Sequence, residues 1–227
     1  MSRTYLSERF MRLLVIVVLL SLPILGSAQT GQSPEALAKA LQARYQNVRD
    51  FTADFVQIYR GGVLRTETRE SGTVAVKKPG RMRWTYTSPE RKEFVSDGLK
   101  MYAYIPDDKQ VTVSNVPADS EAPTPVLFLA GKGDLVKDFT AEKAASPVQG
   151  TVALKLTPRR NEPEYEYLIV AVDPETLQIR ALTTKDRQGG ESTLRFENLK
   201  ENKGISDKDF AFRIPRGVDV ISNGQRN

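Results

Sequence analysis

Apolar positions along this chain fall into three regimes. Leu37, Leu41, Tyr45 and Val48 recur at helical spacing, while Lys39, Gln42 and Gln46 fall off the stripe. That spacing predicts a helix with one buried face. Ser33 suits the N-cap, Pro34 the first turn and Glu35 the positive end of the helix dipole. From Phe51 the period drops to two. Short alternating segments are expected at Phe51–Tyr59, Arg65–Lys77, Arg81–Thr87, Lys92–Ser96, Lys100–Ile105 and Gln110–Asn115. The series continues at Thr151–Pro158, Tyr165–Val172, Gln178–Lys185 and Ser192–Leu199. The clearest is Arg81–Thr87, with Met82, Trp84 and Tyr86 on one face and Arg81, Arg83, Thr85 and Thr87 on the other. Turn residues such as Asp97-Gly98, Asp173-Pro174 and Gln188-Gly189-Gly190 separate the segments. No strand–helix–strand alternation occurs, so the sheet should be antiparallel and curl into most of a barrel.

The third regime interrupts the strands. Ser120–Phe139 reads SEAPTPVLFLAGKGDLVKDF, with a helix start at Thr124-Pro125, an apolar turn over Val126–Ala130 and a break at Gly131-Lys132-Gly133. Asp134 can cap a second short turn carrying Leu135 and Val136. A turn that is apolar all round needs hydrophobic matter on more than one side. It is either a plug packed in a barrel end or a lid over an apolar cavity.

Composition changes the picture by exclusion. The 227 residues contain no histidine and no cysteine. Ser–His–Asp triads, HExxH zinc sites, thiol nucleophiles and disulfides are thereby ruled out. The start of the chain reads as an address: Arg3, Arg9 and Arg12 precede the apolar run Leu13–Leu25, and Gly26-Ser27-Ala28 offers small residues for cleavage. Residues 1–28 are therefore expected to be a removed signal peptide, and 29–227 a single exported domain. Losing Arg3, Arg9, Arg12 and Glu8 lowers the formal charge from +5 to +3, a mild and interspersed excess unlike that of a nucleic-acid binder.

Few clusters suggest chemistry. Glu162, Glu164 and Glu166 alternate beside Pro163 and read as a solvated strand edge; Asp107-Asp108 reads as a turn. Gly131-Lys132-Gly133 lacks the rest of a phosphate loop. In Arg81-Met82-Arg83-Trp84 the bases and aromatics point opposite ways on a strand. The expectation is a protein that is not an enzyme and needs no cofactor or metal. Phe55, Met82, Trp84, Tyr86, Phe94, Met101, Tyr102 and Tyr104 gather in the early strands. Such adaptable side chains suit a surface that repacks around apolar ligands, and they equally suit an ordinary core.

Several motifs then resemble one family, the periplasmic outer-membrane lipoprotein carriers (LolA). Phe51–Gln57 (FTADFVQ) resembles its first strand, FxAxFxQ. Gly72–Trp84 (GTVAVKKPGRMRW) resembles its G-x-[LV]-x-[VL]-x-[RK]-P-x-x-[FM]-x-W signature. Ser96-Asp97-Gly98 followed by Tyr102 and Tyr104, Thr124–Leu129 (TPVLFL), Asp173-Pro174 and Phe210–Val218 (FAFRIPRGV) follow in the family's order. The resemblance implies an incomplete antiparallel β-barrel of about ten to eleven strands, with a helical lid over an apolar cavity. It further implies a monomeric periplasmic chaperone that takes acylated lipoproteins from an inner-membrane LolCDE-type ABC transporter to a LolB-like outer-membrane acceptor. A carrier of another lipid or glycolipid, or an envelope-stress lipid sensor, would share the fold. On this resemblance the eight early-strand residues line the acyl-chain cavity, and Leu37, Leu41, Val126, Leu127, Phe128 and Leu129 form the lid. The family most often has Arg before the Pro of its signature, as a latch on the lid; Lys78 stands there, a point charge rather than a planar fork. Lys78 is expected to be a looser latch, unless Arg81 or Arg83 substitutes.

Overall fold

A computed structural model describes residues 32–61, 66–116, 129 and 133–222. Val126, Leu127 and Phe128 of the expected lid lie outside the described residues. Helix α1 runs over Pro34–Gln46, and the Ser33 hydroxyl accepts from the Ala36 amide at 3.2 Å as its N-cap. Twelve strands follow: β1 Asp50–Arg60, β2 Glu67–Lys77, β3 Arg81–Ser88, β4 Lys92–Asp97, β5 Lys100–Ile105, β6 Gln110–Asn115, β7 Phe139–Ala144, β8 Val152–Pro158, β9 Tyr165–Val172, β10 Ile179–Asp186, β11 Glu191–Glu201 and β12 Asp219–Ser222. The short helix α2, Leu135–Asp138, sits before β7, with Asp134 Oδ1 accepting from the amides of Val136 and Lys137.

The strands form one open sheet in the order β12-β6-β5-β4-β3-β2-β1-β11-β10-β9-β8-β7. The expected count of ten to eleven is exceeded by β7 and β12, the two edge strands. Both are short, and their sequences, FTAEKA and DVIS, carry little alternation. Pairing with β8 and β6, rather than local pattern, makes them strands. The β12–β6 pair is also parallel, an exception to the antiparallel expectation.

Register assigns every side chain to a face. On the inner face Phe55 lies opposite Phe196 and Gly72, Gly72 opposite Tyr86, Val74 opposite Trp84, and Trp84 opposite Phe94. Further along, Leu194, Leu182, Val170 and Leu154 form a continuous row across β11, β10, β9 and β8. These residues belong to, or pack against, one apolar cluster that also takes in Leu37, Leu41 and Tyr45 of α1, Val48, Leu129 and Leu135. The core therefore lies between the inner face and the helices.

The outer face is supported differently at its two ends. Ala153, Ala171 and Ala181 make a small cluster covered by Ala144, Val148 and Ile169. At the other end the segment after β11 crosses the sheet as a strap. Lys77 Nζ donates to the Ile205 carbonyl at 2.7 Å, and Arg83 donates to the carbonyls of Asp209 at 2.7 Å and Ala211 at 2.8 Å. Phe210 is completely buried, and Phe212 stacks on Tyr102 with ring centroids 5.2 Å apart.

Gly72 marks the tightest approach between strands. A Cβ there would lie 2.0 Å from the Thr85 carbonyl oxygen and 2.9 Å from the Tyr86 Cα. Across this bare position Phe55 and Tyr86 meet edge to face at 4.9 Å. Gly72→Val should destabilise the fold by about 3 kcal/mol through overpacking against backbone that cannot move aside. Urea unfolding checks this against the wild type.

Candidate functional site: a latched helix over an apolar sheet face

The site begins at the C-terminal end of α1. A helix leaves its last carbonyls without intrahelical donors and carries partial negative charge there. The Tyr45 carbonyl accepts from the Val48 amide at 3.1 Å and from Lys78 Nζ at 2.5 Å. The ammonium also sits 3.8 Å from the centre of the Tyr45 ring. Lys78 itself is fixed by its amide, which donates to the Arg49 carbonyl at 2.8 Å. Tyr45 Oη in turn donates to the Leu129 carbonyl at 2.9 Å. Lys78, Tyr45 and Leu129 thus tie strand β2, helix α1 and the start of the 129–138 region into one chain of contacts.

Three further hydrogen bonds hold α1. Arg44 donates to the Thr176 carbonyl at 2.9 Å and to Glu201 at 2.5 Å, while Gln42 Oε1 accepts from the Leu135 amide at 2.9 Å. Arg81 and Arg83 play no part in this latch. Both sit on the outer face, Arg81 3.7 Å from Asp207 and Arg83 on Glu93 and the strap carbonyls. Of the three basic residues considered for that role, Lys78 is the one whose ammonium reaches α1.

The eight residues expected around the apolar face divide by register. Phe55, Met82 and Trp84 are buried in the core cluster, and Tyr86 and Phe94 pack against it half-buried. Met101 lies opposite Ser96 on the same inner face. Tyr102 and Tyr104 do not belong there: they pair with Val95 and Glu93 and pack against Phe212 on the outer face. Strand alternation already forbids Met101 and Tyr102 from sharing a side, a conflict the residue types concealed. Of the expected lid, Leu37, Leu41 and Leu129 are buried against the inner face.

Polar groups rim the inner face at the end away from the latch. Tyr86 Oη donates to Gln57 at 2.8 Å, Gln57 donates to Ser192 at 3.0 Å, and Lys92 donates to Glu70 at 2.5 Å. Burial, with the Glu70 charge, pushes the Tyr86 phenol up to about 12. The outer face carries a shallow groove of about 360 Å³, lined by Thr52, Asp54, Thr73, Arg83, Thr85 and Lys200 among others. Glu162, expected in a solvated strand edge, is instead buried just before β9, and burial, followed by the Glu164 charge, raises its carboxyl. Among the described residues no group of three or more carboxylates could hold a metal ion, and no helix is long and apolar enough to cross a membrane.

An open, mainly antiparallel sheet whose apolar face is roofed by a pinned helix defines the class of fold. The family model described as outer membrane lipoprotein carrier protein LolA matches residues 46–213, and the chain belongs to that family. It is 34% identical over 214 residues to the outer-membrane lipoprotein carrier protein of Chromohalobacter salexigens, covering 93% of this chain and 96% of that one. Identity to the carrier of the same name from Methylococcus capsulatus is 29% over 205 residues, covering 90% and 97%. The fold is also similar to that of an uncharacterized conserved protein from Thermus thermophilus, with TM-score 0.52 and 14% identity over 82% of this chain and 98% of that one.

The latch generates two predictions. Burial lowers the Lys78 ammonium from 10.5 to about 8, partly offset by the Glu201 charge. Between those values the unfolded chain holds a proton that the folded chain has released, so this group's contribution to stability rises with pH across that window. Measured from pH 7 to 10.5, wild-type stability should climb relative to Lys78→Met. A constant difference would show that the ammonium is not desolvated. Tyr45→Phe keeps the ring under Lys78 but strands the Leu129 carbonyl. It should cost about 1–2 kcal/mol and speed amide exchange within α1.

Proposed function

We propose that this chain is a periplasmic carrier that binds the acyl chains of lipoproteins and shields them from water in transit to the outer membrane. Family membership supports the cargo class, and the apolar leader at residues 1–28, removed on export, supports the compartment. One observation carries the reading: the most apolar surface of the sheet is roofed by a helix that a few polar contacts pin at one end. Acyl chains lie against Phe55, Met82, Trp84, Tyr86, Phe94 and Met101. Leu37, Leu41 and Leu129 belong to the cover that swings away. The carrier works as a monomer without cofactor or catalysis. It loads from an LolCDE-type ABC transporter and unloads to a LolB-like acceptor.

Magnitudes favour a moving cover. Each buried methylene is worth about 0.8 kcal/mol, so a chain of roughly 15 represents on the order of 12 kcal/mol. A site that met this whole term with no competitor would not release its load. When α1 returns to the same apolar face it competes with the cargo, and hand-over comes close to balance.

The absence of native cysteine makes the test direct. With an engineered disulfide between α1 and β7, elements already in contact, the oxidised protein should fail to extract a triacylated lipopeptide from phospholipid vesicles. Reduction should restore extraction. Equal extraction by the oxidised form would refute the moving cover, and no extraction by either form or by wild type would refute the carrier.

A further inference from the structure

Trp84 is the single tryptophan of the chain and stands in the middle of the inner face. Its ring meets Phe55 edge to face at 5.1 Å and lies 6.4 Å from Phe196, with only 4% of the residue exposed. Its Nε1–H is buried and has no hydrogen-bond partner among the described residues. A buried donor without an acceptor costs free energy that a phenyl ring at the same place would not. Neighbouring polar groups on this face are already engaged. Tyr86 donates to Gln57, Gln57 to Ser192, Lys92 to Glu70, and the Ser96 hydroxyl donates to the Gly80 carbonyl at 2.7 Å. The indole donor is held in reserve where the others are spent.

A fatty acyl chain is not wholly apolar. Whether joined as an ester or as an amide, it brings a carbonyl oxygen that must leave water with the methylenes. We infer that the Trp84 N–H is the donor that receives this acyl carbonyl, so that the carrier reads the linkage as well as the hydrocarbon. The inference rests on the carrier reading above and adds a register to it. Tyr86 lies two residues along β3, about 7 Å from Trp84. A carbonyl at Trp84 directs the polar anchor toward the Tyr86–Gln57–Ser192 rim. The methylenes then run the other way, over Met82 and Val76 toward the latched end of α1. The cargo's protein part leaves at the polar rim, and its tails displace the cover.

The experiment compares three probes of equal chain length: a fatty-acyl methyl ester, the corresponding N-methyl amide and the alkyl methyl ether. Wild type should bind ester and amide about fivefold more tightly than ether, the worth of one net hydrogen bond. In Trp84→Phe the ratio of ester or amide affinity to ether affinity should fall to about one, whatever the variant's overall affinity. A preference that survives in Trp84→Phe, or is missing in wild type, overturns the inference. The native tryptophan supplies a readout that needs no variant. Its emission should shift to the red with ester and amide more than with ether, and identical shifts for all three would also overturn it. Whichever of ester and amide binds better identifies the linkage preferred, and both outcomes keep the donor role. If none of the probes binds wild type, the carrier reading fails and this inference falls with it; binding without discrimination sinks the inference alone.

Discussion

The inner face of this sheet is too apolar to be left in water, and the rest of the molecule is organised around what covers it. Fully burying one large aliphatic or aromatic side chain is worth roughly 1.5–3 kcal/mol. The face presents a row of four such residues from Leu194 to Leu154 beside the cluster of Phe55, Trp84 and Phe196. Helix α1 supplies the matching stripe. A helix of thirteen residues has little stability of its own in water, so α1 is helical largely because the sheet is there. That mutual dependence makes it a good cover. Docking on the sheet buries the stripe that the helix alone would leave in water.

The outer face of the sheet is supported by contacts of its own. The alanine row packs under Val148 at one end, and the strap from Lys203 to Gly217 crosses the other. Asp50 anchors the strap by accepting from the amides of Lys203 and Gly204, and Phe210 and Phe212 fill the space over β3, β4 and β5. The basic residues Lys77, Arg81 and Arg83 serve this strap. The sheet is thus braced from behind. Lys78 sits where the two systems meet, with its backbone on the Arg49 carbonyl and its ammonium on the helix end.

Much of the candidate site was legible before any coordinates. The stripe from Leu37 to Val48 is a helical face because its spacing allows little else, and it packs where a buried stripe must. Met82, Trp84 and Tyr86 share a face because a strand alternates. The same rule, applied strictly, separates Met101 from Tyr102; weighing residue type above position put both tyrosines on the wrong side. Glu162 was misread for the opposite reason. An acidic side chain next to Pro looks solvated, but Glu162 is buried and its carbonyl accepts from the Arg187 side chain. No local pattern carries that information.

Local pattern determined the elements, their apolar faces, the antiparallel meander and the absence of the residues that most hydrolytic and metal chemistry requires. Such properties depend on neighbours within a few positions, which covalent geometry brings together. Tertiary structure decided the rest: that β7 and β12 exist, that Arg83 belongs to the strap and Lys78 to the helix, and that one indole N–H is left without an acceptor. Each of those depends on which distant segment arrives alongside, and a buried donor is satisfied or orphaned only once every surrounding chain is in place.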